Sequence, residues 1–298
     1  MPDFRAYAPH ATPDAAEITL GADESHHLVV VNRCRRGDPV VAFDGRGREW
    51  RCECLDPAKN EARLRVHATL QAAPLPHAIT LAQSLPKGAT MDEIVRQATE
   101  LGVARIIPLL TERTQVHLEG DRAEKKIEKW RTTAIEAAKQ CGNPWVPEIA
   151  PVQKLEALLK WASPSAAAAE ASAPDTHPPF ASAHTAAASD SDEQLRASDA
   201  NNPQPANAHE AFDLKLVASL HPGTRTLREV LDHYRTHYPR PPRTALWLVG
   251  PEGDFSPGEM ATITAVGCAP VTLGPLVLRC DTAAVAALSV LSYELSTA

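Results

Sequence analysis

The first part of the chain alternates apolar and polar residues in short runs, a pattern typical of half-buried β-strands. It predicts strands at residues 40–43, 49–55 and 63–70, with a tight turn at 44–47. A short helix is predicted at residues 26–33. Residues 1–75 are therefore expected to form a small β-rich unit, a barrel or a meander, which ends at the proline-rich residues 73–76.

From residue 77 onward, apolar strand patterns alternate with amphipathic helix patterns. Strands are predicted at residues 79–85, 105–110, 148–150, 214–220, 245–249 and 270–273. Helices are predicted at residues 90–101, 121–140, 155–161, 227–238 and 257–266, and from about residue 282. Three helix starts carry the residue pair of a capping box: Thr90 with Glu93, Thr226 with Glu229, and Ser256 with Glu259. The fold class is thus α/β, and residues 76–298 are expected to form a mainly parallel sheet with helices on both faces.

Residues 163–213 interrupt this pattern, because they contain few large apolar residues and many Ala, Ser, Pro and Asp. Such a composition buries too little surface to offset the entropy of ordering, so we interpret the segment as a disordered insertion. It carries eight acidic residues and one basic residue, so its net charge of −7 equals that of the whole chain. The remainder is neutral, so the total charge does not exclude an anionic partner.

Six cysteines form no CxxC pair, and we interpret them as small buried residues in a reducing compartment. The spacing of the cysteines gives no metal site. The chain has no apolar run long enough to cross a bilayer, and it does not begin with an apolar signal segment. We therefore expect a cytoplasmic protein without membrane or metal partners.

Two glycine-bearing loops join strands to helix starts in the last quarter of the chain. The first spans residues 250–256 and the second spans residues 273–283. Each is either a ligand site lined by backbone groups or an ordinary tight connection, and the local pattern does not separate the two. Arg279 in the second loop needs an anionic partner, either a substrate or Glu252. Asp281 or Thr282 is expected to cap the last helix.

Charged residues elsewhere form a second group of candidates. The arginines of the first unit cluster in sequence and suit phosphate binding: Arg33, Arg35, Arg36, Arg46, Arg48 and Arg51. Lys87 follows the first strand of the second unit. Glu100 lies at a helix end, where its charge is unfavourable, and Arg113 is a candidate partner.

Several short motifs together resemble the RsmE family of 16S rRNA uracil-N3 methyltransferases, in the SPOUT superfamily. The motifs are His27-Leu28 to Arg33, Gly37-Asp38, Phe43-Asp44-Gly45, Lys87, residues 99–103, Glu136-Ala137 with Gln140, residues 250–256, Leu273-Gly274, Leu278-Arg279 and Thr282-Ala283. They extend over nearly the whole chain outside residues 163–213. This chain departs from the family at Asp254, where a second glycine is usual, at Cys280-Asp281 and at Asn143.

The resemblance implies a PUA-like barrel that binds RNA, followed by an α/β domain with a deep trefoil knot. It also implies S-adenosylmethionine as cofactor, a uridine of 16S rRNA in the small ribosomal subunit as substrate, and a homodimer. The implied cofactor site comprises Leu220, His221, Pro222, Val249, Gly250, Pro251, Glu252, Gly253, Leu273, Gly274, Leu278, Arg279, Cys280, Thr282 and Ala283.

The same resemblance suggests roles in catalysis and RNA binding. Arg279 is expected to stabilise negative charge on the substrate, and Glu252 or Asp281 to accept a proton or orient groups. Lys87 and Arg113 join the barrel arginines Arg33, Arg35, Arg36, Arg46 and Arg48 as expected RNA contacts.

Two other functions are compatible with these motifs. One is a different SPOUT reaction, such as ribose 2′-O-methylation of tRNA, and the other is a non-catalytic RNA-binding assembly factor. A nucleotide phosphate-binding enzyme fits least, because no lysine follows the glycines.

Overall fold

A computed structural model describes residues 4–116, 118–162, 212–221 and 223–296. The N-terminal unit is a curled five-stranded sheet in the order β1-β3-β4-β5-β2. Its strands are β1 (Phe4–Tyr7), β2 (Glu17–Thr19), β3 (Pro39–Phe43), β4 (Arg48–Asp56) and β5 (Arg63–Gln71). Strands β1 and β3 are parallel, and the other pairs are antiparallel. The three strands predicted in this unit are confirmed.

The inner face of this sheet buries a core of its own, which includes Leu28, Trp50 and Leu64. Cys52 and Cys54 are both buried on that face, as their alternation along β4 predicts. Helix α1 (Ala22–His26) continues into one π-helical turn (His27–Val31), so the predicted helix is present and begins earlier than expected.

The second unit is a parallel sheet in the order β12-β10-β11-β6-β7-β8, with β9 also paired to β7. Its strands are β6 (Ala78–Ser84), β7 (Arg105–Leu110), β8 (Glu148–Ile149), β9 (Gln153–Lys154), β10 (Leu214–Ala218), β11 (Thr244–Val249) and β12 (Ala269–Val271). All pairs in it are parallel, which confirms the predicted sheet type.

Helices cover both faces of this sheet. They are α2 (Thr90–Glu100), α3 (Gly120–Cys141), α4 (Leu155–Ala162), α5 (Leu227–His237), α6 (Pro257–Ala265) and α7 (Cys280–Ser296). One core cluster joins the sheet to α2, α3, α5 and α7, and a second cluster on the other face joins it to α4 and α6. Within the described residues, no helix is both long and apolar enough to cross a membrane.

The helix starts follow the predicted caps at two of three places. Thr226 and Ser256 each form a complete capping box, with Glu229 and Glu259 respectively. The prediction for Thr90 is wrong: the residue before the helix is Ala89, no side chain caps it, and Glu93 pairs with Arg96 instead. The helix begins one residue too early for the Thr90 hydroxyl to occupy the capping position.

The two units are joined by residues 72–77, between the end of β5 and the start of β6. The predicted boundary after residue 75 lies in this connection and stays a prediction. Most of the expected insertion, residues 163–211, lies outside the described residues, but Phe212 and Asp213 pack on the folded unit. The Phe212 ring meets the Trp161 ring edge-on at 5.1 Å, and the Asp213 carboxylate accepts hydrogen bonds from Arg240 at 2.7 and 3.0 Å.

Candidate functional site

The loop after β11 lies at the carboxyl edge of the parallel sheet, where the loops of neighbouring strands meet it. Val249 pairs with Gln83 of β6, so residues 250–256 begin beside the end of that strand. Val249, Gly250 and Pro251 are buried, whereas Glu252 and Gly253 are exposed. In open parallel sheets this edge is the usual position of ligand sites, and the structure places the first glycine loop there.

The sharp turn in this loop is made by Asp254 rather than by a glycine. Asp254 has φ of 58°, whereas Gly250 and Gly253 have φ values that any residue adopts. Neither glycine therefore supplies the left-handed residue of the turn. A Cβ atom on Gly250 would lie 2.9 Å from Oδ1 of Asp254, so this glycine is needed for close approach of the chain to itself.

Asp254 is held in its unusual conformation by local contacts. Its Oδ1 accepts a hydrogen bond from the Phe255 amide at 2.8 Å, and its own amide donates to the Pro251 carbonyl at 2.9 Å. Aspartate is among the few residue types that tolerate a left-handed backbone. The positive φ at residue 254 also explains why glycine is usual at this position in the family that the chain resembles.

Two neighbouring strand ends hold the loop from the side. The Lys87 amide, after β6, donates to Oε1 of Glu252 at 2.9 Å. Nη1 of Arg113, after β7, donates to the Gly253 carbonyl at 2.6 Å. Arg113 therefore does not pair with Glu100, and that prediction is wrong.

The strand end after β10 also reaches this loop. Nε2 of His221 lies 3.7 Å from Oδ2 of Asp254, and the His221 amide donates to the Ser219 hydroxyl at 3.1 Å. Leu220 is exposed beside it. The structure thus brings together Leu220, His221 and the first glycine loop, as expected of one site. Pro222, the third predicted residue of this segment, lies outside the described residues.

The second glycine loop leads from β12 to α7. Gly274 has φ of 122°, which only glycine adopts readily, and the Thr272 hydroxyl bridges its amide and its carbonyl at 3.2 and 3.1 Å. Leu273 and Leu278 are partly buried. Between them, Leu276 and Val277 expose 73% and 81% of their surface, a large apolar area for a solvated loop.

Helix α7 begins earlier than predicted, so its first turn is built differently. Its first residue is Cys280, and the Arg279 carbonyl accepts a hydrogen bond from the Ala283 amide at 2.7 Å. Asp281 and Thr282 therefore lie inside the first turn, and the prediction that one of them caps the helix is wrong. Asp281 still places a negative charge where the helix dipole favours it.

The two glycine loops lie close enough to share an electrostatic environment. Burial and, after it, the negative charge of Glu252 raise the pKa of the Cys280 thiol to about 11, with Asp281 and Asp254 adding to the effect. Cys280 is thus a neutral, buried thiol at physiological pH and not a nucleophile. The same carboxylates create a negative environment around the start of α7.

Arg279 is exposed at this point of the structure. Among the described residues no side chain forms an ion pair with it, and Glu252 is engaged by the Lys87 amide. The alternative of a structural salt bridge between Arg279 and Glu252 is therefore not supported. The guanidinium group remains available to a ligand.

The barrel turn that carries Arg46 lies at the other edge of the sheet. The turn Gly45–Gly47 contacts the segment between α3 and β8, where the Gly47 amide donates to the Pro144 carbonyl at 3.0 Å and the Val146 amide to the Gly45 carbonyl at 3.0 Å. This segment leads into the amino end of β8, next to the start of β7. Because β6 alone has 7 residues, the two edges are about 20 Å apart.

The predicted RNA contacts are consequently divided between two places. Arg33, Arg35, Arg36 and Arg46 are exposed on the barrel, and Arg48 is half-buried with its Nη1 3.7 Å from Asp44. Arg33 has φ of 61°, which turns the chain directly after the π-helical turn. Lys87 and Arg113 lie at the carboxyl edge, beside the glycine loops.

A charge network centred on the buried Lys139, which was not predicted from the sequence, fastens the barrel to α3. Nζ of Lys139 lies 2.9 Å from Glu24 and 2.5 Å from Glu136, and Glu136 also approaches His27 at 3.4 Å. Lys139 is only 7% exposed. A lysine near a helix carboxyl end is common on solvated surfaces, so the local pattern contained no signal for this role.

Comparison with known proteins identifies the family. A model described as an RNA methyltransferase domain matches residues 73–191 and 197–292, and one described as an RNA methyltransferase PUA domain matches residues 20–66. The chain belongs to the RNA methyltransferase family. The fold class predicted from the resemblance, a PUA-like unit followed by a SPOUT-type α/β unit, is confirmed.

Two curated relatives match this chain over most of its length. The chain is 30% identical over 275 residues to ribosomal RNA small subunit methyltransferase E of Synechocystis sp., covering 92% of this chain and 72% of the relative. Identity to the Bacillus subtilis protein of the same name is 27% over 282 residues, covering 94% and 91%. The resemblance to the RsmE family is thereby confirmed.

Solved structures agree with this assignment. A putative methyltransferase from Legionella pneumophila, in complex with the bound cofactor SAM, superimposes with a TM-score of 0.74 at 27% identity, covering 99% of this chain and 98% of that one. A Neisseria gonorrhoeae ribosomal RNA small subunit methyltransferase E bound to S-adenosyl methionine gives 0.71 at 22% identity, covering 98% of each chain, and supports the fold.

Proposed function

We propose that this protein transfers a methyl group from S-adenosylmethionine to N3 of a uridine in the 16S rRNA of the small ribosomal subunit. The observation that carries the proposal is the convergence of both glycine loops and the strand end at His221 at one edge of the sheet, in a chain of the RNA methyltransferase family. This convergence favours a catalytic site over a non-catalytic assembly factor. Measurement of cofactor binding distinguishes these two functions.

The residues at this edge fit a cationic cofactor with an adenosine moiety. Glu252, Asp254 and Asp281 surround the start of α7 with negative charge, which favours a sulfonium and an ammonium group. The absence of a side chain on Gly250 and Gly253 lets Asp254 and Arg113 pack against the loop, which holds its backbone in a fixed shape. We assign the cofactor to the backbone and apolar groups of Leu220, His221, Pro222, Val249, Gly250, Pro251, Glu252, Gly253, Leu273, Gly274, Leu278, Arg279, Cys280, Thr282 and Ala283.

S-adenosylmethionine, when bound, supplies an electrophilic methyl group, and the protein has to orient the uracil ring toward it. Arg279 is exposed and forms no ion pair with another residue that the structure describes, so its guanidinium group is placed to stabilise negative charge on a uracil carbonyl oxygen or a phosphate. The proton on N3 passes to a carboxylate. Asp281 is the better candidate for that role, because Glu252 already accepts a hydrogen bond from the Lys87 amide.

RNA binding is assigned to two surfaces that one long substrate has to contact. The exposed barrel arginines bind phosphates and give a marked salt dependence, as expected for a sequence-independent contact. The carboxyl edge then receives the target nucleotide. A ribosomal RNA is long enough to reach both edges of the sheet, about 20 Å apart.

The proposal includes a knotted fold and a homodimer. We take the knot from the resemblance of the chain to the SPOUT superfamily; in the sheet, β10 lies between β11 and β12. Exposed apolar residues beside the second loop and along α7 support a protein interface: Leu276, Val277, Val290 and Tyr293. The proposed location, together with its ribosomal substrate, is the cytoplasm.

A methyl-transfer assay with small ribosomal subunits that lack the modification tests this function. The purified protein and isotope-labelled S-adenosylmethionine should place the label in N3-methyluridine of 16S rRNA, and Arg279→Ala should slow turnover. Label in the ribose of tRNA would favour the other SPOUT reaction instead. RNA binding with no cofactor binding and no transfer would favour the assembly factor and overturn the proposal.

A further inference from the structure

The turn that follows β7 presents two residues to the first glycine loop. The turn is closed by Thr111 and Thr114: the Thr114 amide donates to the Thr111 carbonyl at 3.0 Å, and the Thr111 amide to the Thr114 hydroxyl at 3.1 Å. Glu112 and Arg113 lie at its tip. A turn closed in this way fixes the direction of both residues.

The backbone of Glu112 supports one end of the glycine loop. Its amide donates to Oε1 of Glu259 at 2.8 Å, and Oε2 of Glu259 accepts from the Ser256 amide at 2.9 Å. Glu259 is 8% exposed, so this carboxylate is buried between the two loops. It joins the turn after β7 to the start of α6.

Arg113 supports the middle of the same loop through two contacts. Its Nη1 donates to the Gly253 carbonyl at 2.6 Å. A Cβ atom on Gly253 would lie 3.3 Å from both Cβ and Cδ of Arg113, so the arginine stem lies flat against the glycine. The lack of a side chain at Gly253 therefore makes room for Arg113, while φ at Gly253 is unstrained.

We infer that Arg113 is a positioning residue for the cofactor-binding loop rather than an RNA contact, an inference that rests on the proposed function of that loop. Its charged donor orients the Gly253 carbonyl, and its stem limits the movement of residues 252–254. One N–H group of this guanidinium donates to the Gly253 carbonyl and the stem packs against Gly253, so contacts within the protein orient the side chain before any RNA binds.

Arg113→Met tests the inference, since it keeps most of the stem and removes the donor. We expect the Kd for S-adenosylmethionine to rise about fivefold, as for loss of one exposed charged hydrogen bond. The Kd for rRNA and its salt dependence should stay unchanged. Without any ligand, amide hydrogen exchange in residues 250–256 of Arg113→Met should be faster than in the wild-type protein.

A matched control is Arg122→Met, which removes an exposed arginine from the first turn of α3. It should change neither affinity nor exchange. Unchanged cofactor affinity and exchange in Arg113→Met, with weaker RNA binding and a smaller salt slope, would overturn the inference. If the wild-type protein bound no S-adenosylmethionine, the proposed function would be wrong. The hydrogen-exchange measurement would still decide whether Arg113 positions the loop.

Discussion

Replacing Gly47 with alanine should loosen the contact between the barrel and the α/β unit. Gly47 has φ of 90°, and its Cβ would lie 2.2 Å from Cζ2 of Trp145. Gly37 has the same φ of 90° and has no atom within 4 Å of its Cβ position. Gly37→Ala is therefore a matched control that carries the backbone strain without the collision.

The expected magnitudes follow from these two geometries. A left-handed alanine costs about 1–2 kcal/mol in either variant. In Gly47→Ala the Trp145 ring also has to move by about 1 Å or more to restore van der Waals contact, and overpacking of this kind typically costs about 1–3 kcal/mol. Gly47→Ala should thus lose about 1–3 kcal/mol more of the free energy of unfolding than Gly37→Ala does.

Urea unfolding of both variants measures this difference, and limited proteolysis within residues 72–77 reports on the connection. Gly47→Ala should be cleaved faster there than Gly37→Ala, because the Ala72 amide at the start of the connection donates to the Gly47 carbonyl at 2.8 Å. Equal losses of stability and equal cleavage rates would refute the docking of the turn at Gly45–Gly47 against Trp145.

Three further predictions concern other parts of the chain. Burial lowers the pKa of His77, so protonation of this residue favours the unfolded state. The free energy of unfolding should therefore be highest above the ordinary histidine pKa. As the pH falls below that pKa, it should decrease by up to about 1.4 kcal/mol per pH unit. Urea unfolding at pH 7.5 and 5.5 should show a smaller loss in His77→Asn, and an equal loss would contradict this. Replacing residues 163–211 by a short Gly-Ser linker should not lower the free energy of unfolding. The two ends of the segment lie together, because the ring centroids of Trp161 and Phe212 are 5.1 Å apart, and a short linker can join them. A variant that failed to fold would disprove this prediction. Gly253→Val should displace Arg113 and abolish S-adenosylmethionine binding, and normal calorimetric affinity would count against it.

The periodicity of the chain was sufficient to predict most of the fold. The helix and strand patterns after residue 77 have the strong alternation of a sheet covered on both faces, and the carboxyl-edge rule then brings the loops at residues 250–256 and 219–221 together. These predictions need only local patterns and one general rule about parallel sheets. They hold because secondary structure in this unit agrees with its tertiary packing.

The remaining features depend on contacts between distant residues. The left-handed conformation of Asp254 is stabilised by its neighbours, and no local pattern requires it. The partners of the buried Lys139 lie on α1 and α3, and Glu24 is more than a hundred residues from it along the chain. The role of Arg113 also requires the position of Gly253, 140 residues further along the chain. Such pairings follow from the folded structure alone.

Nucleoside analysis of 16S rRNA from cells that lack this protein is a direct test of whether the protein methylates a ribosomal uridine. We expect the rRNA to lose one N3-methyluridine, and the modification to return with the wild-type protein but not with Arg279→Ala. An unchanged content of N3-methyluridine, or loss of a ribose methylation instead, would contradict the claim that this site methylates a ribosomal uridine.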